Sequence, residues 1–205
     1  SHRFRLLDPP GGEALCVSLF CYDNAALPAL VEAWSSGPLP VVCVVPESRA
    51  LAQLSRCVGQ PIPIGTGIEL GRLAIRAIPF LELDPYDRLL WACDVNFVRG
   101  EDSFVRAQLA ARPLVWQAYP QEERAHLRKT SAFLERYAGV LDPAVRPVYC
   151  AFTEDWNNGS ADACRHWSAL SSRRNTLAAH ARDWAGRLAG GGNLAIELAK
   201  FCEDR

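Results

Sequence analysis

The stretch DVNFVRGEDSFVR at residues 94–106 decides the fold, because it predicts a buried strand that turns directly into a helix. Val95, Phe97 and Val98 are apolar and of types common in strands. Gly100 supplies backbone freedom for a turn, and the acidic residues and serine after it are typical of the first turn of a helix. In open α/β sheets, ligands bind where such strands end and helices begin.

This junction favours an anionic, phosphorylated ligand. Backbone N–H groups and the helix dipole at a helix start attract phosphate. Arg99 adds a permanent cation whose guanidinium matches phosphate oxygens, Ser103 adds a hydroxyl donor, and Glu101 is placed to orient the arginine or the ligand. The alternative is that Glu101, Asp102 and Ser103 only begin a helix, with one surface ion pair beside them.

Apolar periodicity indicates that strands and helices alternate along most of the chain. The predicted strands cover residues 14–22, 40–45, 73–79, 94–98 and 113–118. The predicted helices cover residues 25–34, 47–57, 84–93 and 101–111. Asn24 is the expected cap of the first helix, and the Pro- and Gly-rich residues 60–71 are expected to form a loop. This alternation is typical of α/β proteins with a Rossmann-like doubly wound parallel sheet.

The chain after Tyr119 is predicted to be mainly helical. The expected helices cover residues 121–137, 161–187 and 193–203, and the expected breaks are at 142–143, 157–159 and 190–192. We place the Rossmann-like domain at 13–137 and a helical C-terminal extension of the same domain at 138–205. Residues 1–12 are expected to be a tag remnant and linker, because the chain begins Ser1-His2 and contains no methionine.

Two blocks of sequence resemble one known family. The first is FCYDN at residues 20–24, followed by Leu27-Pro28 and Trp34. The second runs from YDRLLWACD at 86–94 through NFVRGEDS at 96–103 to Trp116 and YPQEE at 119–123. Both blocks resemble the bacterial EarP-type protein-arginine rhamnosyltransferases, which modify translation elongation factor P. The resemblance implies the C-terminal, donor-binding half of a GT-B glycosyltransferase.

The resemblance also implies a reaction. The family transfers rhamnose with inversion from dTDP-β-L-rhamnose to an arginine of elongation factor P, in the cytoplasm, without a metal or another cofactor. Its aspartates that act on the acceptor lie in an N-terminal domain, which this chain lacks. We therefore expect elongation factor P to bind mainly to that missing domain. We also expect this chain to be inactive alone.

Ten residues are candidates for donor binding, and Glu101 is a candidate catalytic residue as well, because an anion at a helix start beside a diphosphate does not favour donor binding alone. The ten are Phe20, Tyr22, Phe80, Tyr86, Arg99, Glu101, Asp102, Ser103, Tyr119 and Gln121. Phe20 and Tyr22 end the first strand and should face the crevice. The resemblance places thymine at Phe80 and Tyr86, although ordinary packing under a loop is the alternative for both rings.

Two further candidates and one departure from the family complete the site. Tyr119 and Gln121 lie at the last strand-to-helix junction, so they are second candidates for the diphosphate. Leu83 stands where the family often has a polar residue, which removes one side-chain hydrogen bond to the base. Trp91 and Trp116 lie in apolar stretches and are expected in the core.

Composition excludes several other classes of protein. The net charge is −1, from 22 basic and 23 acidic residues, which argues against a general nucleic-acid-binding surface. No apolar run reaches the roughly 18–20 residues of a membrane helix. The eight cysteines form no CxxC pair, so we expect reduced, buried thiols. His126, His166 and His180 are too dispersed to predict a metal site.

Two other functions fit parts of the sequence. A nucleotide or nucleotide-sugar binding module without transferase activity would share the sheet and the arginine. Sequence upstream of residue 1 would distinguish it, because a transferase needs a second half that carries aspartates. A nicotinamide-dependent oxidoreductase is disfavoured, since the turn after the first strand reads CYDN at residues 21–24 and not GxGxxG.

Overall fold

The computed structural model describes residues 14–121 and 124–191, which build one sheet with helices packed against it. The strands are β1 (Leu15–Leu19), β2 (Val41–Pro46), β3 (Gly67–Leu70), β4 (Leu73–Ile78), β5 (Val95–Arg99) and β6 (Leu114–Gln117). Their order is β3-β4-β2-β1-β5-β6, and neighbours are parallel except for the pair β3 and β4. The apolar run of β2 is buried along its whole length, as a parallel strand covered on both faces requires.

The helices follow the strands and then continue beyond the sheet. They are α1 (Leu27–Ser36), α2 (Arg49–Cys57), α3 (Leu83–Ala92), α4 (Asp102–Leu109), α5 (Ala125–Tyr137), α6 (Arg146–Asn158), α7 (Ala163–Ser172) and α8 (Arg174–Gly190). A short 3-10 turn at Ala138–Val140 connects α5 to α6. None of these helices is long and apolar enough to cross a membrane.

The two faces of the sheet are covered by different helices. On one face, the Phe97 ring of β5 packs against Trp34 of α1, Trp156 of α6 and Trp167 of α7, with centroids 5.8, 5.0 and 6.1 Å away. On the other face, the side chain of Asn96 donates to the Leu90 carbonyl of α3 at 3.0 Å. Neighbouring residues of a strand point to opposite faces, so β5 is covered on both sides.

The order of the strands creates a crevice. The chain passes from β1 to β2 on one side of the sheet and from β5 to β6 on the other side. The carboxyl ends of β1 and β5 therefore lie side by side where the strand order reverses, which is where open α/β sheets bind ligands. The predicted α/β class with a doubly wound sheet and a helical C-terminal part is confirmed.

Helix α6 was not predicted from the sequence. The breaks predicted at 142–143 and 157–159 exist, but they are the two ends of this helix. Pro147 lies in its first turn, where proline costs no hydrogen bond, and Gly159 ends it in the left-handed conformation at φ 67°. The turn-forming residues at 142–143 and 157–159 therefore lie at the two ends of a helix, and the segment between them is not a loop.

Three other predictions need correction. The loop predicted at 60–71 contains β3, an antiparallel edge strand that pairs with β4. The helix predicted at 161–187 is two helices, because the chain turns at Arg173 without a proline or glycine to signal it. Asn24 does not cap α1, which begins at Leu27; its Oδ1 instead accepts a hydrogen bond from the Ala26 N–H at 2.9 Å.

The predicted boundaries at 12 and 137 remain predictions. The helices after residue 137 share the core of the sheet, since Phe152 and Trp156 of α6 contact Phe97. Trp116 is buried as predicted, whereas Trp91 is 55 % exposed at the end of α3, so its prediction as a core residue was wrong. The predictions of a tag remnant and linker at 1–12 and of a helix at 193–203 lie outside the described residues.

Candidate functional site

A pocket of about 420 Å³ opens at the carboxyl ends of β1 and β5. All predicted site residues except Tyr119 and Gln121 line it, together with Pro46, Leu81, Leu83 and Gly100. Residues from the ends of three strands and the starts of two helices therefore meet at the crevice.

The Arg99 guanidinium lies in this pocket between two aromatic rings. Its Cζ atom is 4.3 Å from the centroid of Phe20 and 4.7 Å from that of Tyr22. Cation–π contact with both rings restricts the side chain to this position. Among the residues that the structure describes, no carboxylate pairs with it. A fixed, uncompensated guanidinium with its donors available is suited to bind an anion.

The turn after Arg99 is held rigidly by β6. Gly100 adopts φ 63°, a conformation that favours glycine. Its N–H donates to the Gln117 carbonyl at 3.2 Å, and its own carbonyl accepts from the Trp116 indole at 2.7 Å. A Cβ atom at this position would lie 3.0 Å from the Tyr22 hydroxyl. The positive φ and the close approach of the Tyr22 hydroxyl both favour glycine at this position.

The start of α4 is tied to the end of β5 by Ser103. Its buried hydroxyl donates to the Arg99 carbonyl and accepts from the Arg99 N–H at 3.2 Å. The hydroxyl is therefore already engaged with the backbone, which is closer to the helix-start interpretation than to a direct phosphate contact. Asp102 pairs with Arg106 at 3.3 Å, but it shares that guanidinium with Asp87 of α3, which lies at 2.9 Å.

Glu101 pairs with a lysine and not with the arginine that it was expected to orient. Its side chain is 68 % exposed, and its Oε1 lies 3.6 Å from Lys129 Nζ of α5. Such an exposed pair contributes little to stability. The interpretation that Glu101 orients Arg99 therefore finds no ion pair to support it among the described residues, and Glu101 remains available to a ligand.

Phe80 and Tyr86 play different structural parts. Phe80 is 61 % exposed at the rim of the pocket, where its ring face is open to a flat ligand. Tyr86, in α3, is only 8 % exposed and packs edge-on against Phe20 at 5.7 Å. Burial raises the pKa of Tyr86, so the phenol stays neutral. Its hydroxyl makes no well-formed hydrogen bond within the described residues, although Ser103 lies nearby.

Tyr119 lies outside the pocket but contacts the pocket residue Tyr22, whereas Gln121 has no such contact among the described residues. The Tyr119 ring is 55 % exposed and meets Tyr22 edge-on at 5.3 Å. Gln121 is exposed, and its N–H donates to His126 Nδ1 at 3.2 Å. The predicted junction was wrong in its bounds, because α5 begins only at Ala125. Gln121 is therefore not at a helix start, which removes the geometric reason for placing it at a diphosphate.

Comparison with known proteins identifies the family. Residues 5–203 match the profile of the family described as Elongation-Factor P (EF-P) rhamnosyltransferase EarP. The chain belongs to this family. Relatives named protein-arginine rhamnosyltransferase are 40 % identical in Pseudomonas aeruginosa PAO1, over 94 % of the chain and 51 % of the relative, and 39 % identical in Pseudomonas putida KT2440, over 92 % and 50 %. The chain thus spans about half the length of these relatives.

A solved structure extends the likeness to three dimensions. It comes from work on EarP-mediated arginine glycosylation of translation elongation factor EF-P, and it matches with a TM-score of 0.85 and 36 % identity. The match covers 95 % of this chain and 61 % of the other. The predicted resemblance to the EarP family is confirmed, and the alternative of a binding module without transferase activity is not favoured.

Two polar residues that shape this EarP-family pocket were missed from the sequence. The buried Gln117 side chain reaches across β5 and accepts from the Tyr22 N–H at 2.9 Å. Asn157 of α6 donates to the Trp116 carbonyl at 2.8 Å and accepts from the Ala118 N–H at 3.0 Å. Gln117 could have been noticed as a polar residue that ends an apolar strand. Asn157 gave no such signal, because residues 157–159 were predicted to interrupt the helices.

Among the described residues that line the pocket, the positive charge available to an anion comes from one side chain and one helix start. The side chain is Arg99, and the backbone N–H groups that begin α4 lie beside it. Within residues 14–121 and 124–191, no group of three His, Cys, Asp or Glu side chains could hold a metal ion.

Proposed function

We propose that this chain is the donor-binding half of a GT-B glycosyltransferase that transfers rhamnose from dTDP-β-L-rhamnose to an arginine of elongation factor P. The observation that carries the proposal is Arg99, a guanidinium fixed between two rings at the start of a helix and paired with no carboxylate of the described residues. Membership of the EarP family supports the choice of sugar and acceptor. An acceptor that serves translation implies a cytoplasmic location.

The pocket suggests how the donor lies. The diphosphate binds Arg99 and the N–H groups that begin α4. The thymine stacks on Phe80 at the rim, and Leu83 beside it offers only apolar contact. The sugar then lies toward Tyr22 and Tyr119, whose hydroxyls can bond to sugar oxygens.

This arrangement assists departure of the diphosphate. Negative charge grows on the leaving group as the bond to the anomeric carbon breaks, and a fixed cation and helix start stabilise that charge most in the transition state. The attacking guanidinium is protonated at neutral pH, so a carboxylate must polarise it or take its proton. We propose that this carboxylate comes from the half of the enzyme that this chain does not span.

The isolated chain is expected to bind donor without transferring sugar. Calorimetry should detect dTDP and dTDP-β-L-rhamnose, because the pocket lies within the described residues. Mass spectrometry of elongation factor P incubated with chain and donor should show no added rhamnose, because the acceptor-side carboxylate is missing. Transfer by the isolated chain would contradict the division of the site between two halves, and absence of dTDP binding would contradict the proposed function itself.

Phe80→Ala is expected to weaken dTDP binding by about 1–3 kcal/mol, through loss of stacking on the base. The loss should be equal for dTDP and dTDP-rhamnose, since both share the thymine, and the melting temperature should not change, since Phe80 is exposed. Trp91→Ala removes another exposed aromatic ring outside the pocket and is the matched control. A loss confined to dTDP-rhamnose would place Phe80 at the sugar instead.

Glu101→Gln in a full-length enzyme is expected to lower kcat by about 100-fold or more, while Kd for dTDP changes little. A carboxylate beside a diphosphate does not favour donor binding, so its benefit should arise during transfer. Steady-state kinetics and calorimetry measure the two quantities, and the exposed Glu135→Gln is the control. Full activity of the Glu101→Gln enzyme would reduce Glu101 to a residue that begins a helix.

A further inference from the structure

Two cysteines that the pocket does not use lie against each other beneath the sheet. Cys16 belongs to β1 and Cys93 ends α3, and their sulfur atoms are 3.5 Å apart. Both are free thiols; Cys93 is fully buried, whereas Cys16 is partly exposed. Cysteines 77 residues apart in sequence are therefore adjacent in the fold, with one of them within reach of solvent.

The backbone, rather than chance side-chain positions, brings the sulfur atoms together. The Asp94 N–H donates to the Cys16 carbonyl at 2.8 Å. In return, the Cys16 N–H donates to the Asp94 carboxylate, also at 2.8 Å. These two bonds fix the residue next to Cys93 against Cys16. A disulfide bond is about 2.05 Å long, so its formation requires the two sulfur atoms to approach by about 1.5 Å.

The local electrostatics give the two thiols different reactivity. The hydrogen bond with Cys93 lowers the pKa of Cys16, although burial and the Asp94 carboxylate act in the opposite direction. The same hydrogen bond, together with burial, raises the pKa of Cys93. Cys16 is thus the thiol that ionises first, and Cys93 is placed to react with it second. By contrast, burial raises the pKa of Cys21 to about 12, which keeps it an unreactive thiol.

We propose that Cys16 and Cys93 form an oxidation site, which closes into an intrachain disulfide on exposure to hydrogen peroxide. The Cys16 thiolate attacks the peroxide, which gives a sulfenic acid and releases hydroxide. The Cys93 thiol then attacks the sulfenic sulfur; the S–S bond forms, and the hydroxyl leaves with the thiol proton as water. Two thiols are oxidised, one peroxide is reduced, and two water molecules result overall.

The disulfide would join two elements that shape the pocket without entering it. β1 leads to Phe20 and Tyr22, and α3 carries Tyr86, which contacts Phe20. Cys16 lies near the amino end of β1, away from the pocket at the carboxyl end. The link would therefore fasten the end of α3 to β1 at the edge of the sheet opposite the pocket. The proposed oxidation site does not rest on the proposed function, since no donor-binding residue takes part.

Peptide mapping of the oxidised chain tests the proposal. The folded chain is treated with hydrogen peroxide, its remaining thiols are alkylated in denaturant, and the digest is analysed by mass spectrometry. We expect a linked pair of peptides containing Cys16 and Cys93, and an intact mass lower by two hydrogen atoms. Cys57→Ser, which removes another partly exposed thiol, should retain the link. Cys16→Ser and Cys93→Ser should both lose it.

A second variant keeps the test decisive. In Cys93→Ser the sulfenic acid on Cys16 cannot be resolved, so it should be trapped by dimedone. If that variant does not fold, the mapped peptides of the wild-type chain still decide the question. Full alkylation of both Cys16 and Cys93 after a treatment that oxidises Cys57 would overturn the proposal, as would disulfides that link either residue to another cysteine.

Discussion

Arg99→Ala is expected to weaken dTDP binding by about tenfold or more, because a hydrogen bond to a charged group contributes about 1.5–3 kcal/mol. The side chain is fixed by the faces of Phe20 and Tyr22, so little ordering is required when the diphosphate arrives. The melting temperature of the ligand-free chain should change little, because no carboxylate among the described residues loses a partner. Calorimetry and thermal unfolding measure the two effects.

Thymidine provides a sharp control for this variant, because it has the base and sugar but no phosphate. Its binding should be the same in the wild-type chain and in Arg99→Ala. Arg165→Ala removes an exposed arginine that pairs with Asp162 at 2.9 Å, far along the chain in α7, and it should bind dTDP normally. Equal dTDP affinity in Arg99→Ala and wild type would place the diphosphate elsewhere.

Phe97→Ala is expected to lower the free energy of unfolding by about 3–5 kcal/mol, the cost typical of truncating a buried phenylalanine. Phe97 is fully buried, and its ring joins α1, α6 and α7 to the central part of the sheet. The corresponding fall in melting temperature is roughly 6–20 °C for a chain of this size. Chemical denaturation measures the change directly.

Two variants bracket this result. Phe97→Leu retains most of the apolar volume and should lose less stability than Phe97→Ala. Val105→Ala truncates a 52 % exposed residue of α4 and should stay within about 0.5 kcal/mol of the wild type. A loss below about 1 kcal/mol for Phe97→Ala would contradict the packing of α1, α6 and α7 on β5.

The sheet could be predicted because its strands are continuous apolar runs. The burial of VVCVVP in β2 and of VNFV in β5 follows from their residue types, and Gly100 marks the turn that follows β5. Edge strand β3 could not be predicted in the same way. Three of its four residues are exposed, so pairing with β4 holds it rather than apolar burial, and its glycine and charged residue resemble a loop.

The site was only partly predictable, for a related reason. The sequence indicates which residues stand at strand ends, so Arg99, Phe20 and Tyr22 could be brought together from topology alone. The sequence does not indicate which partner a polar side chain binds. Ser103 bonds to the Arg99 backbone and Glu101 lies beside Lys129, and both contacts depend on the positions of α4 and α5 in the folded chain. The support of the pocket by the Gln117 side chain likewise needs three strands in place.

A crystal structure of the chain with dTDP-β-L-rhamnose is the most direct measurement. We expect diphosphate oxygens at about 2.7–2.9 Å from the Arg99 guanidinium, the distance of a charge-assisted hydrogen bond. We also expect the thymine ring against Phe80 and the sugar toward Tyr22 and Tyr119. A donor whose diphosphate lies away from Arg99, for example in the groove between α2 and residues 59–64, would contradict the proposed site.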